Sequence, residues 1–297
     1  MSQKPIKQWL ESRWSVNQDA SEIFHLKLQQ MGCLGSYEDL PLSASKKKSD
    51  EASEVIAYFP FHKSIGSFAK QLKKLENTAT KLIVIKTIPQ GNWATEWKKY
   101  FKPFAIAPGI IIKPSWEKYK QKKNEAVIVL DPGMAFGTGL HDTTRFCAEL
   151  ICKVKKQHDR LNSLLDIGCG SGILSFIAKQ SGFSTVTGVD TDCEAIETCH
   201  ENLKRNPDLA PIGFFLTDGH FDHPSIQKAD VIAANIIAET LCDLKTELIR
   251  LTNNNGYLVL SGILNERVDL VKKAFKDLKP VQTKKSKEWH ALVYCKK

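Results

Sequence analysis

The densest chemical signal in this chain is Leu164-Leu165-Asp166-Ile167-Gly168-Cys169-Gly170-Ser171-Gly172. An apolar run ends in three glycines at alternate positions, and a helical pattern follows. Glycine allows the main chain to turn tightly and lets a ligand approach it closely. In open α/β sheets ligands bind at the carboxyl ends of the strands, where this turn falls. A second acid, Asp190, closes Val186-Thr187-Gly188-Val189-Asp190, 22 residues beyond Gly168. A carboxylate there can accept two hydrogen bonds from ribose hydroxyls. The spacing is G-x-G-x-G and not the dinucleotide G-x-G-x-x-G/A, and Asp166 would repel a pyrophosphate at the turn. Asp166, Gly168, Gly170 and Asp190 therefore point to a nucleoside methyl donor, with a tight turn that binds nothing as the plain alternative.

Two further stretches carry chemistry. Leu130-Asp131-Pro132-Gly133-Met134-Ala135-Phe136-Gly137-Thr138-Gly139-Leu140-His141-Asp142-Thr143-Thr144 is too rich in glycine for a helix. It precedes the glycine turn and is expected to cover the cofactor as a lid. Phe136 would stack on an apolar or ring face, and Thr144 would make a hydrogen bond near the start of the next helix. No Gly-Lys-Ser/Thr follows, which argues against a phosphate-binding P-loop. In Asp230-Val231-Ile232-Ala233-Ala234-Asn235-Ile236-Ile237-Ala238, Asn235 falls at a strand's carboxyl end. Its amide offers an acceptor and a donor, enough to hold an attacking amine. The alternative is an N-cap for the following helix. His220, Asp222 and His223 have no third partner at ligand spacing, so no metal is expected. Cys169 has no paired histidine that would make it a nucleophile. Lys46–Lys48, Lys284, Lys285 and Lys287 read as solvated faces, or as help in docking on an RNA-bearing partner.

These residues need a scaffold of alternating strands and helices. From about residue 120 the strands are Ala126–Leu130, Ser163–Ile167, Thr185–Asp190, Gly213–Thr217, Val231–Asn235 and Tyr257–Ser261. Helices are expected near Thr143–Lys155, Gly172–Gln180, Cys193–Arg205, Glu239–Leu251 and Glu266–Leu278. Short apolar strands between helices predict a parallel sheet covered on both faces. Pro280–Lys285 and Trp289–Cys295 follow with no helix between them and predict an antiparallel hairpin at one sheet edge. The first 90 residues differ. Strands at Ile6–Trp14, Cys33–Tyr37, Val55–Phe59 and Lys81–Ile88, with helices at Asp19–Met31 and Ser64–Leu75, give the β-α-β-β-α-β order of a ferredoxin-like sandwich. Ser43–Glu51 reads as an exposed loop. Between the two parts lie Trp93, Trp97, Tyr100, Phe101 and Phe104, punctuated by prolines and glycines. This stretch is either a partly helical connector that packs on a domain or a completion of the second domain's core.

Composition narrows the class without naming a substrate. The 297 residues are 42% hydrophobic and 25% charged, which suits globular domains with real cores. A net charge of +9 favours an acidic or RNA-associated partner only weakly. The eight cysteines contain no C-x-x-C pair and sit mostly in apolar patterns, which suits free thiols in a reducing cytoplasm. The polar start, with Lys4, Pro5 and Lys7, is no secretory signal, and no apolar run reaches the ~20 residues of a bilayer span.

Taken together, the motifs resemble the PrmA family, bacterial methyltransferases of large-subunit ribosomal protein eleven. The likeness rests on Asp131 through Gly139 with His141, Thr143 and Thr144, on Asp166 through Leu174, on Asn235-Ile236-Ile237-Ala238 and on Leu260 through Leu264. Trp93, Glu96, Trp97, Pro114-Ser115-Trp116 and Glu288-Trp289 add to it. The resemblance implies a seven-stranded Rossmann-like class I methyltransferase domain at 120–297, an aromatic-rich connector at 91–119, and a mobile ferredoxin-like domain at 1–90 that recognises the ribosomal protein. It implies transfer of methyl groups from S-adenosyl-L-methionine to that protein's α-amine and lysine amines. Thr144, Gly168, Asp190 and Asn235 would contact the cofactor, with Phe136, Gly137, Asp166 and Gly170 completing its site and Asn235 as the catalytic residue. A cytoplasmic monomer with no membrane contact and no sequence-specific nucleic-acid binding is expected. Leu140 and Asp142 depart from the family's usual Thr and Pro, and the first 90 residues match it only in architecture. The rival readings are a methyltransferase of this fold acting on RNA or a small molecule, and a non-catalytic ribosome-binding or cofactor-sensing protein.

Overall fold

The computed structural model describes residues 8–17, 20–33, 35–39, 52–60, 65–89, 101–131, 139–221 and 224–297. The chain folds as two compact units, Met1–Phe101 and Lys102–Lys297. The Ser43–Glu51 loop and most of the tryptophan-rich stretch, with Trp93, Trp97 and Tyr100, lie outside the described residues.

In the first unit, β1 (Gln8–Asn17), β2 (Gly35–Asp39), β3 (Ala52–Pro60) and β4 (Thr80–Pro89) form an antiparallel sheet of order β2-β3-β1-β4. Helices α1 (Ser21–Gln30) and α2 (Ile65–Lys73) intervene after β1 and β3. Strand side chains alternate between faces. Leu10, Trp14 and Val16 of β1 and Val55, Ala57 and Phe59 of β3 therefore join Phe24 and Leu28 of α1 and Phe68 and Leu72 of α2 in one buried cluster. Trp14 meets Phe24 edge-on at 4.8 Å, and its indole N–H donates to Ser12 Oγ at 2.9 Å, so the largest core side chain buries no unpaired polar atom. Trp9, Ile56 and Tyr58 form a separate cluster with the opposite strand parity.

The second unit opens with β5 (Phe104–Ala107), β6 (Ile110–Lys113) and β7 (Ala126–Val129), joined in a three-stranded sheet with β6 and β7 parallel. Of the connector expected over 91–119, residues 101–119 contain β5 and β6 and no α-helix, and 91–100 lie outside the described residues. One sequence expectation changes here. The strand expected at Ala126–Leu130 pairs with β6 and stands outside the main sheet. Short runs such as Ile110-Ile111-Ile112 carry no periodicity that would separate strand from connector.

The main sheet has seven strands: β8 (Ser163–Ile167), β9 (Thr185–Asp190), β10 (Gly213–Leu216), β11 (Ala229–Asn235), β12 (Thr252–Leu264), β13 (Lys279–Lys285) and β14 (Trp289–Cys295). Their order is β10-β9-β8-β11-β12-β14-β13, parallel except where β14 runs against both neighbours. The helices are α3 (Asp142–Gln157), α4 (Ile173–Gln180), α5 (Cys193–Arg205), α6 (Ala238–Asp243), α7 (Lys245–Leu251) and α8 (Val268–Ala274). The single helix expected over Glu239–Leu251 is thus two, meeting at Leu244. The sheet strands bury continuous apolar runs such as Val231 through Ala234, as a doubly covered sheet requires. The chain winds outward from β8 through β9 to β10 on one side and from β11 to β12 on the other. The switch in strand order lies between β8 and β11, the place where such sheets leave a crevice for a ligand.

One glycine decides how β12 passes the end of β11. The β12–β14 register shifts between Leu260 and Ile263, and Gly262 takes φ +81° in that irregularity. A Cβ there would collide with the carbonyl oxygen of Ile236 and stand 2.8 Å from its carbon. Gly262→Ala combines a left-handed conformation with a main-chain clash, and is expected to destabilise the second unit by about 2 kcal/mol or more. Urea unfolding of the variant against wild type measures it, and an unchanged midpoint rejects the argument.

Candidate functional site

The glycine turn follows β8 directly. Gly168, Gly170 and Gly172 have φ of +72°, +53° and +81°, so all three lie where a side chain is strained. The turn is tied to β9: the N–H groups of Gly168 and Cys169 both donate to Val189 O, at 2.9 and 3.0 Å. Asp190 Oδ2 accepts from Gly170 N–H at 2.8 Å, and Oδ1 accepts from Asp192 N–H at 3.1 Å. Each carboxylate oxygen has a second lone pair, so Asp190 keeps acceptor capacity for a hydroxyl pair. Space is short around the turn. A Cβ on Gly168 would stand 2.6 Å from Ile236 Cγ2, and one on Gly172 would stand 3.0 Å from both Cys199 Sγ and Phe176 Cε2.

Asp166 lies under the turn, fully buried. Its Oδ2 accepts from Ser175 Oγ at 2.8 Å, and its Oδ1, also buried, has no hydrogen-bond partner among the described residues. Burial pushes its carboxyl up to about 7. The Ser175 hydrogen bond opposes that rise, and the charge of Asp190 adds to it. A cation brought to the free oxygen would restore the ionised form. Cys169, inside the turn, lies 3.8 Å from Cys199 Sγ, and this contact together with burial raises its thiol well above the ordinary range. A neutral buried thiol is a poor nucleophile, in line with the sequence reading.

Two strands away from β9, Asn235 ends β11. Its Nδ2 donates to Thr144 Oγ1 at 3.2 Å, across 91 residues of chain, while its Oδ1 is buried with no hydrogen-bond partner among the described residues. Thr144 is buried in the first turn of α3. The N-cap reading of Asn235 does not hold: α6 begins after Ile237, with no side-chain cap. His141 caps α3 instead, its Nδ1 accepting from Thr143 N–H at 3.3 Å, and its ring meets Trp289 edge-on at 4.8 Å.

The structure therefore brings Asp166, Gly168, Gly170, Asp190, Asn235 and Thr144 to the carboxyl ends of the neighbouring strands β9, β8 and β11. Phe136 and Gly137, with residues 132–138 of the lid expected over Leu130–Thr144, lie outside the described residues, as do Asp222 and His223. Among the described residues no three His, Cys, Asp or Glu side chains gather as metal ligands, and no helix is long and apolar enough to cross a membrane. Sequence reasoning missed Ser175 and Asn202 and gave Asp131, though part of its second motif, no role of its own; their contacts are remote in sequence. Their only local signal is polarity at otherwise packed positions. A cleft of about 640 Å³ lined by Pro108, Asn124, Lys155 and Gln180 sits at the far ends of α3 and α4, some eight helical residues from Gly172, and is not part of this site.

The raised Asp166 carboxyl gives a signed prediction. Its folded pKa of about 7 exceeds the unfolded value, so between roughly pH 4 and 7 the folded protein keeps a proton that the unfolded chain has lost. This group's contribution to stability falls as pH rises through that window, by at most about 1.4 kcal/mol per unit, and is flat above it. Asp166→Asn keeps the shape and the Ser175 bond but cannot ionise. Its stability relative to wild type is expected to rise between pH 4.5 and 7.5 in chemical unfolding, and a pH-independent difference would refute the burial argument.

The family described as ribosomal protein L11 methyltransferase (PrmA) matches residues 8–297. A ribosomal protein L11 methyltransferase of Clostridium botulinum (strain Eklund 17B / Type B) is 41% identical over 208 residues, which are 69% of this chain; the match spans 64% of that relative's length. One from Ruminiclostridium cellulolyticum is 33% identical over 314 residues, 96% of this chain and 98% of that protein. The crystal structure of ribosomal protein L11 methylase from Lactobacillus delbrueckii subsp. bulgaricus superposes with a TM-score of 0.59 at 29% identity, over 66% of this chain and 99% of that one.

Proposed function

The chain belongs to the ribosomal protein L11 methyltransferase (PrmA) family, and from that premise we propose that it transfers methyl groups from S-adenosylmethionine to the α-amine and lysine amines of ribosomal protein L11. The observation that carries the reading is the meeting, at one switch point, of a glycine turn over a half-satisfied buried carboxyl, a strand-ending Asp190 and an Asn235 with a free buried acceptor. On this reading the seven-stranded sheet is the Rossmann-like class I methyltransferase core over 120–297. The β-α-β-β-α-β unit of 1–90 is a ferredoxin-like domain that recognises the substrate protein, and the connector expected over 91–119 enters the second unit, which it opens with β5 and β6.

The residues fit the donor by chemistry. The turn presents main chain without Cβ atoms, Asp190 offers two acceptor oxygens to a ribose diol, and Asp166 offers a negative charge to the cationic methionine end. When bound, the donor supplies an electrophilic methyl on a sulfonium. Asn235 Oδ1 would accept a hydrogen from the incoming amine and aim its lone pair, with Thr144 fixing the amide from behind. A lysine ammonium has a reference pKa of ~10.4, and leaving water for this site lowers it, so the neutral amine forms without a dedicated base. Phe136 and Gly137 are assigned to the cofactor site on the resemblance alone. The protein is taken to act as a cytoplasmic monomer.

Radiolabelled methyl transfer to ribosomal proteins from a strain lacking the enzyme tests the assignment. Label is expected in L11. Label confined to RNA would replace this reading with the RNA-methyltransferase rival, and no label with the non-catalytic one. Asn235→Ala is expected to cut turnover at least tenfold while S-adenosylhomocysteine binding, followed by calorimetry, shifts by less than threefold. Undiminished turnover would remove the positioning role of Asn235. Asp190→Ala should do the reverse and weaken cofactor binding tenfold or more, because it removes two charge-assisted acceptors.

A further inference from the structure

Two asparagines at the end of α5 hold the edge of β7 as another strand would. Asn206 Oδ1 accepts from Val129 N–H at 2.8 Å, and its Nδ2 donates to Val129 O at 2.7 Å. One turn earlier, Asn202 Oδ1 accepts from Asp131 N–H at 3.0 Å, and its Nδ2 donates to Asp131 O at 3.2 Å. The match is geometric. Four helical residues rise about 6 Å, and two strand residues rise about 6.6 Å, so side chains at i and i+4 meet the main chain at j and j+2. Residues two apart on a strand also turn their N–H and C=O groups to the same edge.

Asn202 does one thing more. Its second Nδ2 hydrogen goes to the carbonyl of Ser171, inside the glycine turn, at 3.2 Å. The side chain is fully buried, and three of its four hydrogen-bonding sites are used in contacts at least 31 residues away in sequence. Asp131 is pinned by its side chain as well: Ser115 donates to it from N and Oγ at 2.7 Å each, and Arg205 Nε lies 3.0 Å away. On the far side of residues 132–138, Gly139 is packed so closely that a Cβ would stand 2.5 Å from Ile173 Cδ1, on the first residue of α4.

We propose that Asn202 is a positioning residue for donor binding: its one amide joins Ser171 of the glycine turn to Asp131 and so sets how far the turn stands from the end of β7. Asn206 bonds Val129 of β7 and, from Nδ2, the carbonyl of Asn202 at 2.8 Å, and among the described residues makes no bond to the turn. The proposal rests on the reading of the turn as the methyl-donor site.

The test compares Asn202→Ala, Asn202→Ser and Asn206→Ala in the full-length protein. Binding of S-adenosylhomocysteine is followed by calorimetry, the KM for the donor and kcat by labelled transfer to L11, and folding by thermal melts. Both alanine variants should melt lower, since Asn202→Ala takes away the side-chain partner of the Asp131 main chain and Asn206→Ala that of Val129. Asn202→Ala is expected to weaken binding and raise the donor KM at least tenfold, with kcat changed less than threefold. Asn206→Ala should bind within about twofold of wild type. Asn202→Ser keeps one donor and should fall between; it stands in if the alanine variant melts below the assay temperature. Wild-type affinity in both Asn202 variants, or equal losses at 202 and 206, overturns the proposal while leaving the donor site intact. A wild-type protein that bound no S-adenosylhomocysteine would instead overturn the donor-site reading, and this proposal with it.

Discussion

Asp166 is a carboxyl group taken fully out of water whose hydrogen bonding among the described residues comes from Ser175, all of it short of Oδ1, where a carboxylate wants several partners. Burying such a group costs free energy unless something charged or polar completes it. The surrounding fold supplies no second partner to Oδ1 among the described residues, and Asp190 on the adjacent strand makes matters worse by adding negative potential. The turn above it takes three positive φ values in five residues, a path open to glycine without strain and closed to other side chains. An unpaired buried carboxyl oxygen beneath a Cβ-free turn is the feature on which the proposed donor site rests.

Keeping that arrangement in shape requires rigid neighbours, and each comes from a different element. β9 takes the first two N–H groups of the turn on Val189 O and the third on Asp190. α4 brings Ser175 to Asp166, α5 brings Asn202 to Ser171, and α3 brings Thr144 to Asn235. Gly262 lets β12 pass close to Ile236, whose side chain in turn leaves no room for a Cβ on Gly168. These contacts link the ends of β8 and β11 through packed atoms, so the glycine turn and Asn235 are set against each other by the sheet itself.

The division of labour between the two units follows from what each can bury. The first has its own core around Trp14, Phe24 and Phe59. The second has a larger one under β11 and β12, and it alone contains the candidate site. Sites grafted on a common fold are distinguished by such local chemistry more than by the fold. Here Asn235 ends β11 with Thr144 against it, and His141, which caps the helix that carries Thr144, meets Trp289 edge-on.

Much of this could be read from local patterns. Strand and helix periods, the glycine spacing, Asp190 at a strand end and Asn235 at another are all properties of short segments, and short segments are what one-dimensional patterns report. The strands at Phe104–Ala107 and Ile110–Lys113, and the placement of Ala126–Val129 beside them, escaped because a short apolar run does not say which sheet it joins. The split of α6 from α7 escaped for a similar reason, since apolar spacing continues across Leu244. Tertiary structure alone decided that Asp166 keeps a bare oxygen, that Asn235 leans on Thr144 rather than capping a helix, and that Asn202 ties Ser171 to Asp131. Hydrogen bonds between residues 9 to 91 positions apart depend on how the sheet stacks its helices, and no local pattern encodes that distance.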